Sequence, residues 1–324
     1  MPALPLIIDT DTGSDDAVAL LLAAASGLGD IRAVTTVAGN VPLATGTRNA
    51  LFSLQVAERV DIPVHPGCER PMTRPPSTAQ QVHGQDGMGD IGLPDPLRPA
   101  EERHAVEVLL SAPRGHPGEL TLVTLGPLTN LAAALVRDRD LLTRYRHVYC
   151  MAGAADLSGN ITATAEFNAW ADPEAARVVL ESATPDKVTW IGWDVSRRDA
   201  VMTPEDQSRL ERLGTPMATF AHRVNRTVAD WARDVTGLAG YDLPDPIAMA
   251  VALRPGLITE QERAHVDIAL GDETRGQLII DRRRSAPPPN LTLVRRVDEA
   301  GFKDLLFTTC AGIRQSRHDV KEHQ

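Results

Sequence analysis

Asp9, Asp11, Asp15 and Asp16 crowd four carboxylates into the segment DTDTGSDD. Carboxylates this close repel one another unless protons or a cation intervene. Ligands that are all oxygen suit a hard cation, Ca²⁺ or Mg²⁺. Gly13 permits a sharp turn within the segment, and Asp9 and Asp11, two apart on an extended stretch, share one side. A plainer reading has Asp15 or Asp16 complement the positive N-terminus of the helix that follows. That accounts for one or two acids and not for four, so the metal reading is the better one. Calcium takes roughly six to eight oxygens, so further ligands must come from elsewhere in the chain. Asp245, in LPDPIAMA, leads into an apolar helix. It reads equally as a ligand and as an N-cap with proline at the first helical position.

The elements that must position these acids follow from hydrophobic patterning. Short apolar runs predict strands at residues 4–8, 31–37, 120–125, 147–151 and 188–192. Helices are expected at 17–25, at 45–60, from Leu131 and from Asp172, where Asp-Pro opens the helix. Alternating strands and helices imply a single Rossmann-like α/β domain with a mainly parallel central sheet flanked by helices. In such sheets ligands sit beyond the C-terminal strand ends. The polar clusters fall there, after Ile8, Val37, Leu125 and Met151. Residues 266–270 and 277–281 read as a hairpin. Residues 71–97 and 282–290 read as surface loops. The domain is expected to span residues 1–313, with a polar C-terminal tail at 314–324.

Composition narrows the function. The 324 residues hold 43 Asp and Glu against 33 Lys and Arg, a net charge of −10, which disfavours nucleic acid and anionic membranes as partners. Lysine occurs only at 187, 303 and 321, leaving few candidates for a catalytic amine. Cys68, Cys150 and Cys310 are widely spaced, which suggests reduced thiols in a cytoplasmic protein. The N-terminus lacks a basic region before its apolar run and does not read as a signal peptide.

The ordered motifs resemble those of the inosine–uridine-preferring nucleoside hydrolases. DTDTGSDDA at residues 9–17 is followed by VAGN at 37–40, TRNA at 47–50, HG at 83–84 and LGPLTN at 125–130. MAG at 151–153, GN at 159–160, AEFN at 165–168, DPEAA at 172–176, DP at 245–246 and TRG at 274–276 complete the set, covering about residues 5–310. The resemblance implies hydrolysis of the N-glycosidic bond of ribonucleosides to ribose and free base, in nucleoside salvage. It implies Ca²⁺ held by Asp11, Asp16, Asp245 and the main-chain carbonyl of Leu125, with Asp11 also taking a proton from the metal-bound water. Asp15, Asn40, Asn160, Glu166 and Asn168 would grip the ribose hydroxyls, with Met151 packed near the sugar. His83 would sit on a mobile loop near the base, and Asp9 would support the cluster from behind. A homodimer or homotetramer is implied as well.

One position departs from the pattern. Many members carry a histidine immediately before the late metal aspartate, where it is thought to protonate the departing base; here that residue is Pro244. His83 and His222 are the candidate replacements, and Trp231, Tyr241 or Trp193 are candidates to approach or stack on the base. Base preference therefore stays open. Two rival readings accompany the hydrolase. Asp9-Thr-Asp11 superficially matches the start of a haloacid-dehalogenase-type phosphatase, but Lys187 is the only mid-chain lysine and lacks a following acidic pair. Pro244 alternatively motivates a catalytically idle nucleoside- or ribose-binding protein.

Overall fold

The computed structural model describes residues 2–156 and 158–313. The proposed tail at 314–324 lies outside the described residues. Nine strands form one sheet: β1 (Leu4–Thr10), β2 (Gly29–Thr36), β3 (Val64–Pro66), β4 (Thr121–Thr124), β5 (His147–Met151), β6 (Val188–Ile191), β9 (Ile258–Ile268), β10 (Leu278–Asp281) and β11 (Leu291–Val297). A separate antiparallel pair joins β7 (Val201–Met202) to β8 (Tyr241–Asp242). The large sheet runs β10-β9-β11-β6-β5-β4-β1-β2-β3. From β11 to β3 every pairing is parallel, and β9 pairs antiparallel with both β10 and β11.

The strands are short and apolar because helices cover both faces. One core packs Leu6, Ile8, Leu20, Val34 and Val123 with helix Pro244–Leu253; the other packs Ile7, Leu122, Leu131, Val148 and Trp190 with helices Thr129–Arg137 and Pro173–Ser182. The chain leaves β1 outward through β2 and β3, then returns to lay β4 on the other side of β1. That reversal makes a crevice at the C-terminal ends of β1 and β4, where an open α/β sheet binds its ligand. Asp9 lies opposite Thr35 of β2 and Thr124 of β4, so the aspartate segment emerges at this point.

Several boundaries differ from the sequence reading. The helix expected to reach residue 60 ends at Val56, because the backbone turns at Glu58, whose φ is +58°. Within the expected loop at 71–97, residues Gln80–His83 form one helical turn. Asp245 is not an N-cap: Pro244, with its fixed φ, occupies the first turn, the helix starts two residues early, and the cap position is Leu243. Asp172 does cap its helix, accepting from the Ala175 amide.

Candidate active site

Helix Ser14–Ala25 begins where β1 ends, and its first turn carries Asp15 and Asp16. Asp16 is fixed by donors from three sides: the Thr10 hydroxyl, the Gly13 amide at 2.9 Å and the Asn40 side-chain amide at 3.1 Å. Asp9 lies beneath, accepting from Thr35 Oγ1 and from Asn130 Nδ2 at 2.8 Å. The same Asn130 amide donates to the Thr36 carbonyl at 2.9 Å. Asp9 thus braces β1 against β2.

Asp11 is fully buried. Its Oδ2 accepts from the Asn40 amide at 2.6 Å, while Oδ1 has no hydrogen-bond partner. Glycines make room for it. A Cβ on Gly39 would stand 2.1 Å from Asp11 Oδ2, and one on Gly126 would stand 2.7 Å from Oδ1. Carboxylate oxygens of Asp15, Asp16 and Asp245 lie within 4.8 Å of one another. Asp11 belongs to the same electrostatic group, its carboxyl raised by burial and by the charges of Asp16 and Asp15. Burial, then the charges of Asp16, Asp15 and Asp11, raises Asp245 well above the usual range. Burial pushes Asp9 and Asp15 each to about 6.

Orphaned buried oxygens on Asp11 and Asp15, an oxygen-only donor set and a glycine cradle together fit a hard divalent cation. The Leu125 carbonyl is at the same strand ends, where the Leu125 amide donates to the Asp9 carbonyl at 2.7 Å.

Above these aspartates opens a cleft of about 190 Å³. Asp15, Asn40, His83, Leu125, Met151, Asn160, Glu166, Asn168 and Asp245 all line it. Of the residues expected to hold the cation or the sugar, Asp11 and Asp16 are the two outside the lining. Glu166 caps helix Phe167–Ala171, accepting from the Asn168 amide at 2.8 Å and the Gly153 amide at 2.6 Å. Burial raises its carboxyl to about 7 even so. Asn168 donates its side-chain amide to the Leu125 carbonyl at 2.6 Å and to that of Met151 at 3.2 Å. Asn160 accepts from the Phe167 amide at 2.9 Å.

His83 ends the turn Gln80–His83, with Nδ1 2.8 Å from Ser14 Oγ. Burial lowers its imidazole to about 4, so the ring is neutral at ordinary pH. Trp193 and Trp231 also line the cleft. His222, on helix Pro216–Val224, does not line it, and Tyr241 is packed into the core. The sequence reading missed Asp242. It lines the cleft and accepts from Ser196 Oγ at 2.6 Å, with the Arg197 guanidinium 3.6 Å away. Only its position three residues before Asp245 signalled it.

The sequence profile described as inosine-uridine preferring nucleoside hydrolase matches residues 6–304. The chain belongs to this nucleoside hydrolase family. The Schizosaccharomyces pombe protein C1683.06c is 38% identical over 314 residues, covering 94% of this chain and 98% of the relative. The pyrimidine-specific ribonucleoside hydrolase RihA of Escherichia coli is 36% identical over 306 residues, covering 94% and 97%. Among solved structures, a plant nucleoside hydrolase, PpNRh1, superposes with a TM-score of 0.88 at 29% identity, covering 96% of this chain and 99% of that one. A purine-preferring ribonucleoside hydrolase from Gardnerella vaginalis gives 0.88 at 30% identity, covering 95% and 98%. This nucleoside hydrolase is accordingly a nucleoside N-ribohydrolase with the expected fold, and the phosphatase reading falls away. Among the described residues, no helix of the nucleoside hydrolase is long and apolar enough to cross a membrane.

Proposed function

We propose that the chain cleaves ribonucleosides to ribose and free base with water activated at a Ca²⁺ site, Asp11 serving as general base. The observation that carries this is the convergence of Asp15, Asn40, Met151, Asn160, Glu166, Asn168 and Asp245 on one cleft above buried Asp11 and Asp16. Asp11, Asp16, Asp245 and the Leu125 carbonyl would hold the cation; of these, Asp16 and Asp245 lie within 4.8 Å of one another, together with Asp15, which would share in it. When bound, the cation lowers the pKa of a coordinated water. Asp11 takes the proton of the attacking water, the role that its unpartnered Oδ1 leaves open.

The ribose lies against Asp15, Asn40, Asn160, Glu166 and Asn168, whose polar atoms hold its hydroxyls in a reactive pose. Met151 packs beneath the sugar. As the bond to the base stretches, positive charge grows on the ribose, and the surrounding carboxylates stabilise it. His83 contributes a neutral imidazole near the leaving base, and the faces of Trp193 and Trp231 line the space the base occupies. A cytoplasmic salvage enzyme working as a homodimer or homotetramer completes the proposal. Each hydroxyl has a polar partner, so deoxyribosides should be rejected strongly. Ribose release should occur from ribonucleosides and drop by orders of magnitude on their 2′-deoxy counterparts. Equal turnover of both would overturn the ribose assignments.

A further inference from the structure

Asp242 is a cleft carboxylate to which the proposed hydrolysis gives no part. It ends β8, is 8% exposed, and is held by Ser196 and Arg197. Its charge acts on Asp15, so the two lie within electrostatic reach. The cleft walls therefore carry Asp15, Glu166, Asp242 and Asp245. Among the described residues lining it there is no lysine or arginine, and His83 is the one basic side chain. Trp193 and Trp231 add aromatic faces; the Trp193 ring already attracts a cation, with the Arg197 guanidinium 5.1 Å from its centroid. Pro244, beside Asp245, offers no proton.

This arrangement suits some leaving groups badly. A neutral base gathers negative charge as its bond to ribose breaks, and nearby carboxylates oppose that charge. A base that begins positive behaves in the opposite way. The bond between C1′ and the ring nitrogen breaks, its electron pair goes to that nitrogen, and the base departs neutral. The water oxygen bonds to C1′ and its proton passes to Asp11. No proton donor to the base is needed.

We propose that the base end of the cleft selects ribosides whose base is already cationic, the N-ribosylpyridinium type, and that Asp242 sets this selectivity. The inference rests on the hydrolase reading and names the substrate class of the same site. Asp242 attracts the positive ring before reaction, and in the transition state that charge moves onto the ribose. Its contribution therefore falls on KM for the cationic substrate. For a neutral nucleoside, its charge opposes the leaving group and lowers kcat.

The experiment compares N-ribofuranosylpyridinium, inosine and p-nitrophenyl riboside as substrates of the Ca²⁺-loaded wild type and Asp242→Asn. Wild type should favour the pyridinium riboside over inosine in kcat/KM. The variant should raise KM for the pyridinium riboside about tenfold with kcat little changed. On inosine its kcat should stay level or rise. Should Asp242→Asn not fold, Asp242→Ser removes the same charge with a smaller side chain. A variant that loses kcat on inosine while keeping its KM for the cation would make Asp242 an acid instead and overturn the proposal. Equal losses on all three substrates would overturn it too, as would a wild type that favours inosine. Failure of wild type to release ribose from any of the three would overturn the hydrolase reading itself.

Discussion

The Asn40 amide donates to Asp11 Oδ2 at 2.6 Å and leaves Oδ1 without a partner. One oxygen is thus fixed by the backbone after β2, while the other is free for chemistry. Asp11→Asn keeps the shape and removes the basic oxygen. It should lower kcat by about 10²–10⁴, the usual share of a general base, with the folded state intact by circular dichroism. Near-normal turnover would remove Asp11 from the mechanism.

The glycines around Asp11 give a second expectation. Gly126→Ala puts a methyl 2.7 Å from Asp11 Oδ1, too close for either group to stay in place. Calorimetric Ca²⁺ titration should show affinity falling together with kcat. Wild-type affinity would mean that Asp11 does not contribute to the cation site.

Stability should depend on pH in a direction set by the buried acids. Asp9 and Asp15 have folded-state values of about 6 against an ordinary 3.8, raised by burial, so the folded chain binds more protons than the unfolded one. Their stabilising contribution is present in full below about 4 and is lost as pH rises through 6. Metal-free protein should therefore show a melting temperature that falls across this window. Added Ca²⁺ binds the ionised cluster and should cancel or reverse the fall. Identical profiles with and without Ca²⁺ would contradict a cation site here.

His83 is buried, neutral and beside Ser14. His83→Ala should slow hydrolysis of inosine and spare p-nitrophenyl riboside, whose leaving group needs no assistance. Matching losses would indicate general damage to the cleft.

Much of this was legible in the sequence because strand ends and polar clusters coincide. Asp9–Asp16 and Leu125 sit at the C-terminal strand ends of the parallel sheet that alternating patterning implies, and the strand order then sets them at its reversal beside β1. The sheet edges were harder to read. β3 is three residues long and ends in Pro66, too short for periodicity. β11 carries Arg295 and Arg296, which interrupt its apolar alternation, and their partners Asp156 and Asp199 are distant in sequence. β9 begins at Ile258, eight residues before the expected strand, because its exposed first half is rich in charge. In the site, the sequence offers Trp193, Trp231 and Tyr241 alike as aromatic candidates; only the placing of helix Trp193–Asp199 and helix Arg226–Trp231 brings the first two to the cleft and leaves Tyr241 in the core. Asp242 has only its nearness to Asp245 to mark it in the sequence: Ser196 and Arg197, which hold it, lie far away along the chain.

The most direct test of the central claim is ribose release from a panel of purine, pyrimidine and cationic ribosides, using metal-free enzyme before and after Ca²⁺ is restored. The account predicts little or no release without metal and recovery with Ca²⁺. Undiminished release from rigorously metal-free protein, or none from any riboside after Ca²⁺ is restored, would contradict it.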